Sequence, residues 1–314
     1  MSREPYLPGR RRTTVTVGTF DGVHRGHQEV LREIVRRARA ADRASVLVTF
    51  EPHPLEIVAP ERAPRLLTTP GEKLLLWPLF ELDYVHVLPF TPALREMSPP
   101  RFVREVLVDR LRVGELVIGY DHGFGKDRKG DVETLRRLAA ELDFQVDVVG
   151  PVAVGEEAVS STAVRRAVES GDLEAAARGL GRPYSALGRV VRGVGRGRQL
   201  GFATANLATE RRKCLPPVGV YAVRAGIDGR DWRGMANLGP RPTFGDEAAG
   251  LEVHLLDWPG EELYDAWLDV EFVARLRGVR RFAGPAELAA QLAADRERAR
   301  AVLDRRPIQA PGVA

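Results

Sequence analysis

The chain has 314 residues, 44% of them hydrophobic and 29% charged, with a formal net charge of +4; the length favours two domains, and the balance excludes a disordered or fibrous protein. No apolar run approaches the roughly 20 residues that cross a bilayer, and the opening MSREPYLPGRRR lacks a signal peptide's apolar core, so a cytoplasmic protein is expected. The single cysteine, Cys214, excludes an internal disulfide and any multi-cysteine metal site.

The sequence pI near 9.4 rests almost wholly on arginine, which stretches such as LREIVRRARAADR mix with Glu and Asp at helical pairing distance. Solvated helix faces account for the excess, and an anionic small substrate accounts for it equally well. Neither nucleic acid nor a membrane is expected as a partner; a homo-oligomer is left open.

In chain order, TTVTVG is a β-rich run that leads into a helix with Val30, Leu31, Ile34, Val35 and Ala38 on one face. SVLVTF follows, apolar on both sides as suits a covered parallel strand. YVHVLPF, a helix over PRFVREVLVDRLRV, ELVIGY, a helix over DVETLRRLAAELDF, and QVDVVG continue the alternation. This pattern predicts a doubly wound α/β domain with its site at the carboxyl ends of the strands. After the helical pieces STAVRRAVESG and DLEAAARGL the texture changes near Gly181, which gives domains 1–181 and 182–314. From there ALGRVV, GVYAVRAGI, DWRGMANL, LEVHLLDW and AWLDVEFVARL alternate apolar with polar residues between Gly and Pro breaks. They predict an antiparallel β-barrel or sandwich, and a terminal helix from Pro285 packs on it.

Chemistry concentrates in a few stretches. In GTFDGVHRGHQ, Gly18, Gly22 and Gly26 let the backbone approach a ligand, and the helix start offers free N–H groups to a phosphate. His24 and His27 there can donate to phosphate oxygens; two partly exposed turn histidines are the plainer alternative. A metal pair is disfavoured because no carboxylate stands at H-E-x-x-H spacing. Ser160, Ser161 and Thr162 open a helix with Arg165 one turn on, a composition that simple N-caps share. TFEPHP, holding His53, and IGYDHGFGKDRKGD, holding Asp121 and Phe124, follow apolar strands as loops over a site do.

H-x-G-H followed by S-S-T-x-x-R resembles the two signatures of the nucleotidylyltransferase superfamily. With TFEPHP and G-x-D-x-x-F-G between them, the first half resembles the FMN adenylyltransferase module of the prokaryotic bifunctional riboflavin kinase/FAD synthetases. The second half resembles that family's riboflavin kinase module through GRPYSALGRVVRGVGRGRQLGFATANL, PPVGVYAVRA, GMANLGPRPTF and LEVHLLDW in the same order. The resemblance covers nearly the whole chain. It implies a Rossmann-like nucleotidylyltransferase domain followed by a kinase barrel, with ATP as co-substrate and riboflavin, FMN and FAD as substrates and products.

The resemblance also implies roles. His24, His27 and Arg165 stabilise charge on the α-phosphate and departing pyrophosphate, and Gly18, Phe20, Asp21, Gly22, Gly26, Ser160, Ser161 and Thr162 surround the nucleotide. In the barrel, Gly193, Gly195, Gly197 and Gly201 wrap phosphates, Thr204 and Asn206 offer oxygen ligands suited to Mg²⁺, and Glu252 is the general base. His53, Asp121, Phe124, Asn237, Arg241 and Thr243 are expected on the flavin side. Without the resemblance, Glu252 reads as an outward-facing strand residue. Thr19 stands where the family usually has Asn, Gly123 where Arg is frequent, Pro240 where Thr is more common, and Ala203 where Pro is usual. Loss of that proline is expected to loosen the turn that presents Thr204 and Asn206. Two rivals remain: an adenylyltransferase for another phosphate ester with a flavin-sensing barrel, and a nucleic-acid-binding barrel protein.

Overall fold

Five runs rich in Val, Ile, Leu and Thr form β1 (Thr13–Val17), β2 (Ala44–Glu51), β3 (Tyr84–Pro89), β4 (Val113–Gly119) and β5 (Gln145–Val149). The structure, a computed structural model, describes residue 7 and residues 11–119, 132–154, 157–193, 202–227, 229–240, 249–260 and 262–305. The sheet order is β3-β2-β1-β4-β5, and every neighbouring pair is parallel. The helices are α1 (Arg25–Ala40), α2 (Pro54–Val58), α3 (Pro70–Leu76), α4 (Pro92–Arg95), α5 (Pro99–Phe102), α6 (Val132–Leu142), α7 (Ser161–Ser170), α8 (Leu173–Leu180) and α9 (Pro285–Asp304). α1 buries the five apolar positions read from its sequence. The chain moves from β1 to β2 and β3 on one side and reaches β4 and β5 on the other. The carboxyl ends of β1 and β4 therefore flank a topological switch point, where open α/β sheets bind ligands.

One expected helix departs from the α-helical pattern. α5 ends at Phe102, and Val103–Val108 forms a π-helical turn that closes with Asp109 N donating to Arg104 O at 2.9 Å. Val103, Val106 and Leu107 on this segment are buried in the core.

The second sheet is a closed antiparallel barrel of β8 (Tyr184–Val191), β9 (Ala205–Thr209), β10 (Gly219–Ile227), β11 (Arg230–Pro240), β12 (Ala249–Leu255) and β13 (Trp267–Arg277), in the order β10-β11-β12-β9-β8-β13. A two-stranded ladder, β6 (Ala153–Val154) and β7 (Glu157–Ala158), precedes α7. Closure removes the sheet edges. α9 starts at Pro285 as expected and packs Leu292, Ala299 and Leu303 against Val220, Ala222, Met235, Val273 and Leu276. Its face also carries a fully buried Asp295, which accepts from Arg277 Nε and Nη2 on β13 and from Gln291 Nε2. A buried carboxylate is tolerated only when paired in this way.

Contacts divide the chain into two units: Met1–Arg65 with Lys73–Ser160, and Leu66–Glu72 with Ser161–Ala314. The change of texture near Gly181 marks the start of the barrel strands, whereas α7 and α8 pack with the barrel's unit. Leu66–Glu72 also belongs to that unit. Leu66 N donates to Arg212 O at 2.7 Å, Cys214 N donates to Leu66 O at 2.8 Å, and Glu72 accepts from Leu187 N and from the buried Lys213 Nζ. Cys214 is a buried free thiol.

Candidate active sites

In the first unit the segment after β1 turns sharply. Phe20 and Val23 take φ of 49° and 41°, in the left-handed region, and Gly22 takes 85°. Such conformations persist in non-glycine residues only where the surroundings enforce them. Gly18 makes room: a Cβ there would stand 3.0 Å from Phe20 Cε2. The Thr19 carbonyl accepts from Lys73 Nζ at 2.7 Å and from Thr49 Oγ1 at 3.3 Å. Asp21 is buried, and Lys73 feels both its carboxylate and that of Glu51.

His24 caps α1, its Nδ1 accepting from His27 N at 3.4 Å. An accepting Nδ1 leaves the ring proton of a neutral His24 on Nε2. The His24 and His27 rings stack at 3.7 Å, and Phe20 lies 4.8 Å from His27. Burial, then the neighbouring His24 and Lys73, push the His27 pKa well below its usual value, so the ring is neutral at pH 7. Its Nδ1 is buried without a hydrogen-bond partner among the described residues. A Cβ on Gly26 would sit 3.3 Å from the His24 ring and 3.8 Å from the Val159 carbonyl, which puts the residue before Ser160 beside the start of α1.

Other residues singled out in the sequence are placed less tightly. His53 caps α2, its Nδ1 accepting from Leu55 N at 3.2 Å while Glu56 accepts from His53 N, so the short helix accounts for this ring. Ser160 precedes α7, Ser161 and Thr162 begin it, and Arg165 lies one turn further on. Asp121, Phe124, Gly123, Gly195, Gly197, Gly201, Arg241 and Thr243 lie outside the described residues.

On the barrel, register brings three site candidates into one row. Glu252 on β12 pairs with Asn206 on β9 and with Asn237 on β11. Because strand residues alternate, Leu251 and Val253 fill the barrel while Glu252 and His254 face outward. They line a pocket of about 270 Å³ with Thr204, Asn237, Met235, Phe282, Leu288 and Leu292. Gly193 abuts Asn206: a Cβ there would fall 2.1 Å from Asn206 Nδ2, so only glycine fits. Gly193→Ala is expected to displace Asn206 and slow chemistry at this pocket roughly tenfold or more; the rate of the barrel's reaction that the resemblance implies, measured beside that of the first unit, checks it.

The turn before β9 is firmer than its sequence suggests. His254 Nδ1 lies 2.8 Å from the Ala203 carbonyl, and burial lowers the ring's pKa, so a neutral imidazole donates to that oxygen. His254 thus ties down the turn that lacks the usual proline. Lys73 and His254 are not among the candidate residues read from the sequence; His254 lies within LEVHLLDW, and Lys73 sits in no motif. Only the apolar run LLLW directly after Lys73 hints at burial.

The barrel pocket's oxygen donors fit a hard divalent cation. Thr204 lines the pocket beside the Glu252 carboxylate, and Asn206 supplies a second neutral oxygen in the strand paired with Glu252. Among the described residues no cluster of three His, Cys, Asp or Glu side chains could hold a metal by itself.

Residues 8–163 match the family model described as FAD synthetase, and residues 180–303 match the one described as riboflavin kinase. A bifunctional riboflavin kinase/FMN adenylyltransferase of Pseudomonas fluorescens is 43% identical over 94% of this chain and 94% of its own. The chain belongs to the bifunctional riboflavin kinase/FMN adenylyltransferase family. Its FAD synthetase module carries the stacked histidines, and its riboflavin kinase module carries the Asn206–Glu252–Asn237 row. The Escherichia coli K12 member is 38% identical over 91% of each chain. A solved structure described as a macrolide-efflux protein from Streptococcus pneumoniae has a TM-score of 0.82 and 31% identity, covering 93% of this chain and 95% of that one. No helix among the described residues is long and apolar enough to cross a membrane.

Proposed function

We propose that the barrel pocket phosphorylates riboflavin at its 5′-hydroxyl and that the histidine turn adenylylates the resulting FMN, each with ATP and Mg²⁺, in the cytoplasm. The catalytic modules divide near Gly181. The observation that carries the kinase reading is the side-by-side row Asn206–Glu252–Asn237 above an apolar pocket. The Glu252 carboxylate takes the proton of the 5′-hydroxyl as its oxygen bonds to the γ-phosphorus of ATP and ADP leaves. Thr204 and Asn206 would hold Mg²⁺, which would neutralise phosphate charge when bound. Met235, Phe282, Leu288 and Leu292 take the flat apolar side of the flavin, and Asn237 offers it an amide.

In the other module a phosphate oxygen of FMN bonds to the α-phosphorus of ATP, and the bond to the β-phosphate oxygen breaks to release pyrophosphate. The nucleophile arrives already ionised, so the protein's contribution is electrostatic. His24 Nε2–H and the neutral His27 donate to the phosphoryl oxygens. The phosphate role of Ser160, Ser161, Thr162 and Arg165, and the nucleotide and flavin contacts of Asp21, His53, Asp121, Phe124, Arg241 and Thr243, rest on the family motifs. Purified protein given riboflavin, ATP and Mg²⁺ is expected to form FMN first and FAD after it, resolved by chromatography over time. Formation of neither product would refute the reading.

A further inference from the structure

Lys73 is an unusual residue to find beneath the histidine turn. It is 8% exposed, and its only hydrogen bond among the described residues goes to the Thr19 carbonyl, at 2.7 Å. An ammonium carries three donors and is strongly hydrated in water, so burying it against one neutral oxygen costs free energy unless nearby charge compensates. The carboxylates of Asp21 and Glu51 supply that compensation, and the neutral imidazole of His27 also faces it.

The geometry then runs in one direction. Lys73 fixes the Thr19 carbonyl; the next residue, Phe20, is held at positive φ; its ring packs at 4.8 Å on His27; and His27 stacks at 3.7 Å on His24. The Thr49 hydroxyl reaches the same carbonyl only at 3.3 Å, as a neutral second donor. A charged donor makes the stronger bond, which suits it to holding a strained turn.

We infer that Lys73 is a positioning residue for adenylyl transfer, whose ammonium holds the Thr19–Val23 turn so that His24 and His27 present their rings to the nucleotide phosphates. The inference rests on the reading of the two histidines given above. Lys73 acts through the turn rather than on the substrate. Burial lowers its pKa from the ordinary lysine value, opposed by Asp21 and Glu51, so the ammonium is protonated at neutral pH and is lost earlier than usual as pH rises.

Lys73→Met keeps the length and volume of the side chain and removes the charge and donors. Misplacing a preorganised group by about 1 Å costs on the order of a hundredfold in rate. The variant is therefore expected to adenylylate FMN ten- to a hundredfold more slowly in kcat, with riboflavin phosphorylation in the same sample unchanged. The wild-type adenylylation rate should fall as pH rises, at a pH below the ordinary lysine pKa, and the residual rate of Lys73→Met should lack that fall. A misfolded variant cannot imitate a selectively lost alkaline limb. Adenylylation by Lys73→Met within twofold of wild type, or a residual rate that keeps the wild-type limb, would overturn the inference. His27→Ala in the same assay separates the two readings: if it stays active the histidine reading fails, whereas if it loses activity while Lys73→Met does not, only the role of Lys73 fails.

Discussion

Replacing His27 with alanine is expected to slow FMN adenylylation by about a hundred- to a thousandfold, the usual loss when one preorganised donor to a developing anion is removed. Riboflavin phosphorylation should continue at the wild-type rate, so FMN accumulates and FAD does not. The size of the loss follows from the ring's surroundings. His27 sits between Phe20 and His24, its Nδ1 has no partner among the described residues, and burial keeps it neutral. A neutral donor already stripped of water gives up little solvation when phosphate arrives, and its hydrogen bond strengthens as negative charge develops. The variant loses that donor but keeps the cap on α1, because His24 Nδ1 accepts from the backbone N of residue 27, which alanine retains. Its thermal stability should therefore change little. Rates of FMN and FAD formation from riboflavin, with supplied FMN as a second substrate, check both parts.

Glu252→Gln should do the reverse. Removing the general base is expected to lower riboflavin phosphorylation by roughly a hundred- to ten-thousandfold, while supplied FMN is still converted to FAD. Glu252 is solvent-exposed on β12, so its replacement by an amide of the same shape falls in the class of surface changes worth less than about half a kcal/mol. The flanking Asn206 and Asn237 stay in register, since the strand pairing uses backbone groups. Loss of kinase activity without loss of stability or of FMN turnover is the signature to look for.

Much of this was legible in the residues. β1 and β2 follow from a β-rich run and a run apolar on both sides, α1 from a 3.6-residue pattern, and GVYAVRAGI coincides with β10. The motif histidines sit at the switch point because they follow β1, which the strand order places beside β4 where the winding reverses, a position the local sequence does not state. Other features depend on distant chain. β9 follows a glycine-dense stretch and has few alternating positions of its own; its place between β12 and β8 is fixed by barrel closure. Leu66–Glu72 joins the barrel's unit through backbone bonds to Arg212 and Cys214 and a buried pair with Lys213, roughly 140 residues away in sequence, a partnership no local pattern encodes. The π-helical turn at Val103–Val108 has no signal in the residue pattern, since i, i+3 and i+4 apolar positions suit a regular α-helix equally well.

The same holds within the sites. The row Asn206–Glu252–Asn237 depends on register across three strands, which the separate motifs do not state. His254 was passed over because its role is to hold the Ala203 carbonyl, a contact 51 positions away. The expected looseness of that turn is thereby offset from another strand. Lys73 belongs to no motif, and its importance lies in one hydrogen bond to Thr19.

The most direct test of two separate catalytic sites is to mix the His27→Ala and Glu252→Gln proteins with riboflavin, ATP and Mg²⁺ and to follow FAD. Each variant alone should fail to make FAD from riboflavin. Together they should make it, because FMN released by the first protein is consumed by the second. A mixture that yields no FAD, although both proteins are folded and each retains its own half-reaction, would contradict the account.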